Sequence, residues 1–228
     1  MQTEIPIKAI EELASLPNPR LYQQAYSAIA NRDWGMYFFS FPSEDNSRLQ
    51  AFVRLAKYLD DKEYWDNVRN IWTGSELLSH DGDVCRTILR ARGNRHLLMT
   101  PYNRRVVTKL PHEVTIYRGF SGDHRDGMSW TLSKRTAEFF AEYSANGPRR
   151  RFFYGTQQGP VPQIVTGVCK KSDIIAVFSD RKEREVVILP ESVKSKRVEV
   201  WIPKPKPQPK IEPFVPQPIN PADIGKVA

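Results

Sequence analysis

The sequence predicts an α+β protein: a mostly helical N-terminal portion over residues 1–110, a strand-rich core over 111–202 and a flexible proline- and lysine-rich tail over 203–228. Three observations carry this reading. Apolar residues recur at helical spacing through roughly the first hundred positions. Short apolar runs with strand chemistry, bounded by glycine and polar residues, take over after His112. Eight of the eighteen prolines fall between Pro203 and Ala228, where Pro203-Lys204-Pro205-Lys206-Pro207-Gln208-Pro209-Lys210 admits neither helix nor inner strand. At 228 residues and 40% hydrophobic, the chain is long enough to bury a core of its own.

In chain order, Ile10, Leu13 and Leu16 begin an amphipathic stripe that Pro17-Asn18-Pro19 interrupts, and helical periodicity resumes from Leu21 to Ala30. Leu49, Phe52, Val53, Ala56 and Leu59 form the apolar face of a further helix. The pattern continues from Asp61 to Trp72, with Asp61 as N-cap and Gly74 as stop, and another helix is expected over Asp83–Ala91. These helices read as a structural cap packed on the core, the ordinary role of apolar stripes. The tail is expected to be extended polyproline II or disordered, with Ile211, Phe214 and Val215 apolar enough to lie along a groove.

The core holds the residues with chemical potential. Val114-Thr115-Ile116-Tyr117-Arg118-Gly119-Phe120 reads as a strand that presents Arg118, a candidate anion clamp, beside Gly119, which permits close backbone approach. Gly127-Met128-Ser129-Trp130-Thr131-Leu132-Ser133 reads as a second strand running into a helix that Ser133 would cap. Glu183-Arg184-Glu185-Val186-Val187-Ile188-Leu189 reads as a late strand opening with two carboxylates on one face, with Arg184 pointing the other way. Adjacent acids in a cleft resist joint ionisation and so can divide proton handling from charge stabilisation.

An arginine on a first strand, a Ser-x-Thr on a second and a Glu-x-Glu on a late one resemble the Arg/Ser/Glu branch of the mono-ADP-ribosyltransferases. The segments "IYRGF", "GMSWTLS", "AEFFA" and "EREVVIL" carry the resemblance, across residues 112 to 202. One departure stands out: the family's second motif is usually Ser-Thr-Ser, and here Trp130 and Thr131 fill its last two places while Ser129 keeps the first. The resemblance implies an ADP-ribosyltransferase-like split β-sandwich that binds NAD, as substrate, in a cleft between two small sheets. No G-x-G-x-x-G lies between a strand and a helix. By the same resemblance Arg118 would contact the NAD phosphates or adjoining ribose. Ser129 would orient the catalytic carboxylate, and Gly119, Trp130 and Thr131 would line the NAD site. Some transferases of this kind build one wall of the NAD cleft from an N-terminal helical region, so the resemblance adds a second reading of the helices beside the structural cap, with Trp34, Tyr37, Phe38 and Phe39 as contributors. Glu185 would hold the nicotinamide ribose and stabilise an oxocarbenium-like transition state. Glu183 would orient or deprotonate the acceptor, for which arginine is the leading expectation, and the turn Phe178–Lys182 would help recognise it. Phe178 serves equally well as a core residue closing the preceding strand.

Composition narrows the remaining classes. No apolar run approaches the ~20 residues that a helical membrane span needs, and Met1–Pro6 lacks a secretory signal's basic start and apolar stretch, so a cytoplasmic protein without membrane partners is expected. Such a protein would be a bacteriophage enzyme or bacterial effector acting on a host or cellular protein. Cys85 and Cys169 are the only cysteines, and His80, His96, His112 and His124 form no zinc motif, so neither a disulfide framework nor a metal is expected. The net charge of +8 is scattered over Arg149–Arg151, Lys170-Lys171, Lys194–Arg197 and the tail. Nucleic acid, or a protein bound to it, therefore stays as a second class of target. The rival activities are an NAD glycohydrolase using the same residues and a non-catalytic protein- or nucleic-acid-binding module of the same fold.

Overall fold

The structure, a computed structural model, describes residues 4–15, 19–42, 47–75, 82–122, 124–146, 160–179 and 183–202. The Pro17-Asn18 break, His80, Arg149–Arg151, Asp180–Lys182 and the proline-rich tail lie outside these residues. The described part is a mixed fold of eight α-helices and one six-stranded antiparallel sheet.

The first seven helices precede the sheet: α1 (Ile7–Ala14), α2 (Tyr22–Ala30), α3 (Trp34–Phe39), α4 (Ser47–Leu55), α5 (Asp61–Gly74), α6 (Gly82–Ala91) and α7 (Pro101–Thr108). The apolar stripes of α1 to α6 meet in one core that includes Leu13, Ile29, Phe52, Trp65, Ile71 and Leu89, while Val106 and Val107 of α7 pack against the sheet. The expected helix through Leu59 stops earlier, since α4 gives way to a 3-10 turn over Ala56–Tyr58. The cap of α5 is Asp60 rather than Asp61. Asp60 has extended backbone, its carboxylate accepts the Glu63 amide at 2.8 Å, and Glu63 returns the bond to the Asp60 amide at 3.0 Å. This reciprocal box satisfies two amide donors that a helix start leaves open.

The strands are β1 (Glu113–Ser121), β2 (Ser129–Thr131), β3 (Pro162–Lys170), β4 (Ala176–Phe178), β5 (Glu185–Val187) and β6 (Lys194–Val200), in the order β4-β5-β2-β1-β3-β6. Helix α8 (Lys134–Asn146) follows β2, and the Ser133 hydroxyl caps it by accepting the Thr136 amide at 3.3 Å. The sheet has unequal halves. Strands β1 and β3 pair along nine positions from Glu113↔Lys170 to Ser121↔Pro162, whereas β1 meets β2 only at Tyr117↔Thr131.

Register fixes the two faces, because directly paired residues of an antiparallel sheet point the same way. In the short half, Ser129, Thr131, Glu185, Val187, Ala176 and Phe178 share a face. Of these, Val187, Ala176 and Phe178 join the helical core, so that face meets the N-terminal portion. On the long half the same face carries Tyr117, Gly119 and Ile164 and is covered by α8 through Ala137 and Ala141. The opposite face of both halves falls into one buried cluster: Val114, Ile116 and Val165 from the long strands with Trp130, Val177 and Val186 from the short ones. Among the described residues no helix is long and apolar enough to cross a membrane.

Candidate active site

Glu185 opens β5 and is buried, at 7% exposure. Its Oε1 accepts the Ser129 hydroxyl at 2.6 Å, a contact that the register makes natural. Ser129 lies two places along β2 from Thr131, which pairs directly with Glu185. The half-buried Arg118 donates from Nη1 to the Ser129 carbonyl at 2.5 Å. Arg118 thus grips the backbone of the residue whose side chain grips Glu185.

Arg118 occupies a position in β1 otherwise given to buried apolar side chains. It follows Val114 and Ile116, precedes Phe120, and pairs with Val165 on β3. Although some of its surface is exposed, the guanidinium is ringed by protein. Loss of water pushes it down to about 10, against the pull of the negative charges on Glu185 and then Asp126. It therefore stays cationic at neutral pH. Gly127 makes room for it, since a Cβ there would sit 2.3 Å from Arg118 Nη2.

The two carboxylates do not project together from one strand face. Glu183 lies at a bend before β5, and Arg184 between them takes a left-handed backbone, φ 47°, that breaks the strand alternation. Thr131 fixes this bend by donating to the Glu183 carbonyl at 2.6 Å, while its oxygen also accepts the Ser133 amide at 3.1 Å. Glu183 is half-buried and lies outside the strand that carries Glu185.

Three residues expected to line the cofactor site have structural duties instead. Trp130 is buried in the apolar cluster of the opposite face and donates its indole N–H to the Gly127 carbonyl at 2.9 Å. Thr131 is buried and serves as the tie just described. The close approach that Gly119 permits is taken by α8: a Cβ would lie 1.8 Å from the Ala137 carbonyl oxygen and 2.5 Å from the Ala141 amide. Phe178 is core, buried opposite Glu185. The aromatics of α3 divide, with Trp34, Tyr37 and Phe38 in the helical core and Phe39 76% exposed. Among the described residues no cluster of histidine, cysteine, aspartate and glutamate could hold a metal.

The helical portion does reach the site, through a residue that the sequence motifs did not single out. Trp72, in the last turn of α5, donates its indole N–H to Glu185 Oε1 at 2.9 Å. Its sequence signal is slight: it extends the Trp65 and Val68 stripe by one turn, and only the polar atom of an indole on an apolar stripe hints at a partner.

The chain matches no family model, no curated protein and no solved structure. The site is therefore read from its own geometry.

Proposed function

We propose that the chain is an NAD-dependent mono-ADP-ribosyltransferase that moves ADP-ribose to a protein acceptor, with arginine the leading acceptor, and releases nicotinamide. One observation carries this reading. Three residues from three separate segments join in series, Arg118 to the Ser129 carbonyl and the Ser129 hydroxyl to Glu185. A surface Glu-x-Glu needs no such chain. The sheet is compatible with a split β-sandwich, since its halves join at a single pair and share one apolar cluster. Beside the single β1–β2 pair Tyr117↔Thr131, Arg118 bridges from β1 to the Ser129 carbonyl of β2.

These residues suit the proposed substrate chemically. Arg118 offers a desolvated cation and a planar fork for a diphosphate. Glu185, held in one orientation, places negative charge beside the ribose carbon as the bond to nicotinamide breaks and its electron pair leaves with the nicotinamide nitrogen. Ser129 prevents the carboxylate from rotating away. The acceptor nitrogen then forms the new bond to that carbon, and Glu183 takes the proton it sheds.

The test is incubation with NAD labelled on its adenylate half and a cell lysate, following nicotinamide release and macromolecular label. We expect both to fall about 10²- to 10³-fold in Glu185→Gln. Label removed by protease identifies a protein acceptor, and label removed by nuclease identifies nucleic acid. Nicotinamide release without label would make the protein a glycohydrolase. Absence of both would sink the catalytic reading.

A further inference from the structure

Resting on the reading of Glu185 as the catalytic carboxylate, we propose that Trp72 is a positioning residue, so that the N-terminal helical portion supplies a working part of the site. A glutamate's terminal torsion is soft, and one donor leaves the carboxylate plane free to turn. Here Ser129 and Trp72 converge on the same oxygen, at 2.6 and 2.9 Å, from the sheet and from α5. Two donors arriving from different elements fix both the position of Oε1 and the plane of the group.

The indole is itself held firmly. Helix α5 begins in the Asp60–Glu63 capping box and buries Tyr64, Trp65, Val68 and Ile71. Trp72 packs against the same core, with its N–H directed to the sheet. Packing alone would be met by phenylalanine. The indole adds one hydrogen-bond donor, and that donor meets the one buried acid among the described residues.

The experiment uses the full chain and compares wild type, Trp72→Phe and Glu185→Gln. We expect Trp72→Phe to lose about tenfold in the kcat of nicotinamide release, the scale of one hydrogen bond. Its KM for NAD should stay within about twofold and its Tm near that of wild type. In NMR spectra of the NAD-free protein, the Trp72 indole N–H resonance should shift between wild type and Glu185→Gln, because the substitution changes the group that accepts it. An undiminished kcat in Trp72→Phe, or an indole resonance indifferent to Glu185→Gln, would overturn the assignment. A wild-type protein that consumes no NAD would instead overturn the transferase reading, while the indole resonance in Glu185→Gln still decides whether Trp72 bonds Glu185.

Discussion

Two glutamates of this protein each accept an indole N–H, and their surroundings diverge from there. Glu63, in the helical portion, takes Trp34 Nε1 at 3.1 Å, the Asp60 amide at 3.0 Å and the fork of Arg32 through both Nε and Nη2. Glu185, at the sheet, takes Trp72 and a serine hydroxyl, and its neighbouring cation Arg118 is bonded to the Ser129 carbonyl. Charge-assisted bonds to Arg32 hold the Glu63 carboxyl down at about 2, with further help from Asp60 and Trp34. The first arrangement uses a full charge to staple helices together. In the second, two neutral donors from different elements converge on one carboxylate oxygen, and the nearby cation bonds the carbonyl of the same serine. A carboxylate gripped by a guanidinium fork ties segments of the fold together, and one aimed by convergent donors is oriented toward charge that develops nearby.

Exchanging each acid for its amide should separate these roles, and the largest effect belongs to the sheet. Glu185→Gln should abolish nearly all NAD turnover while shifting Tm by only a few degrees, which thermal scans and nicotinamide release measure together. Glu63→Gln should do the reverse, costing about 2–3 kcal/mol in urea unfolding because it removes the charged partner of Arg32, with turnover per folded molecule unchanged.

Titration sharpens the contrast. Because Glu63 is more acidic folded than its ordinary 4.5, the unfolded chain binds its proton first. Its contribution is complete above about 4.5 and is lost as pH falls toward 2. Stability of the wild type should decline through that window, and the decline should flatten in Glu63→Gln. The smallest effect is expected at Arg184, whose left-handed backbone suits glycine. Arg184→Gly should change stability by less than about 1 kcal/mol and leave nicotinamide release within about twofold.

Much of the framework was legible in the sequence because it is local. The α5 stripe, the Ser133 cap and strand β1 follow from periodicity and end chemistry within a dozen or so residues. Arg118, Ser129 and Glu185 were legible as an ordered set, and the structure brings them into one bonded series. What stayed hidden depended on tertiary decisions. The β5 segment looked like a strand from Glu183 onward, but a left-handed Arg184 and the Thr131 tie start it at Glu185. Gly119 announced a close approach without saying that a helix would make it. Lys194–Arg197 registered in the sequence only as scattered positive charge, and backbone pairing to β3 makes it part of edge strand β6. Trp72 was beyond any local rule, since its partner is 113 positions away.

That last separation gives the protein a built-in order of assembly. During synthesis the indole emerges on the order of ten seconds before the carboxylate it meets, at ordinary elongation rates. The helices can collapse and bury their stripes in that interval, but the bond from Trp72 to Glu185 must await β5. Growing chains therefore carry Arg118 and Ser129 before the acid to which the Ser129 hydroxyl bonds. The bonded series from Arg118 to Glu185 is complete only once β5 has joined the sheet beside β2.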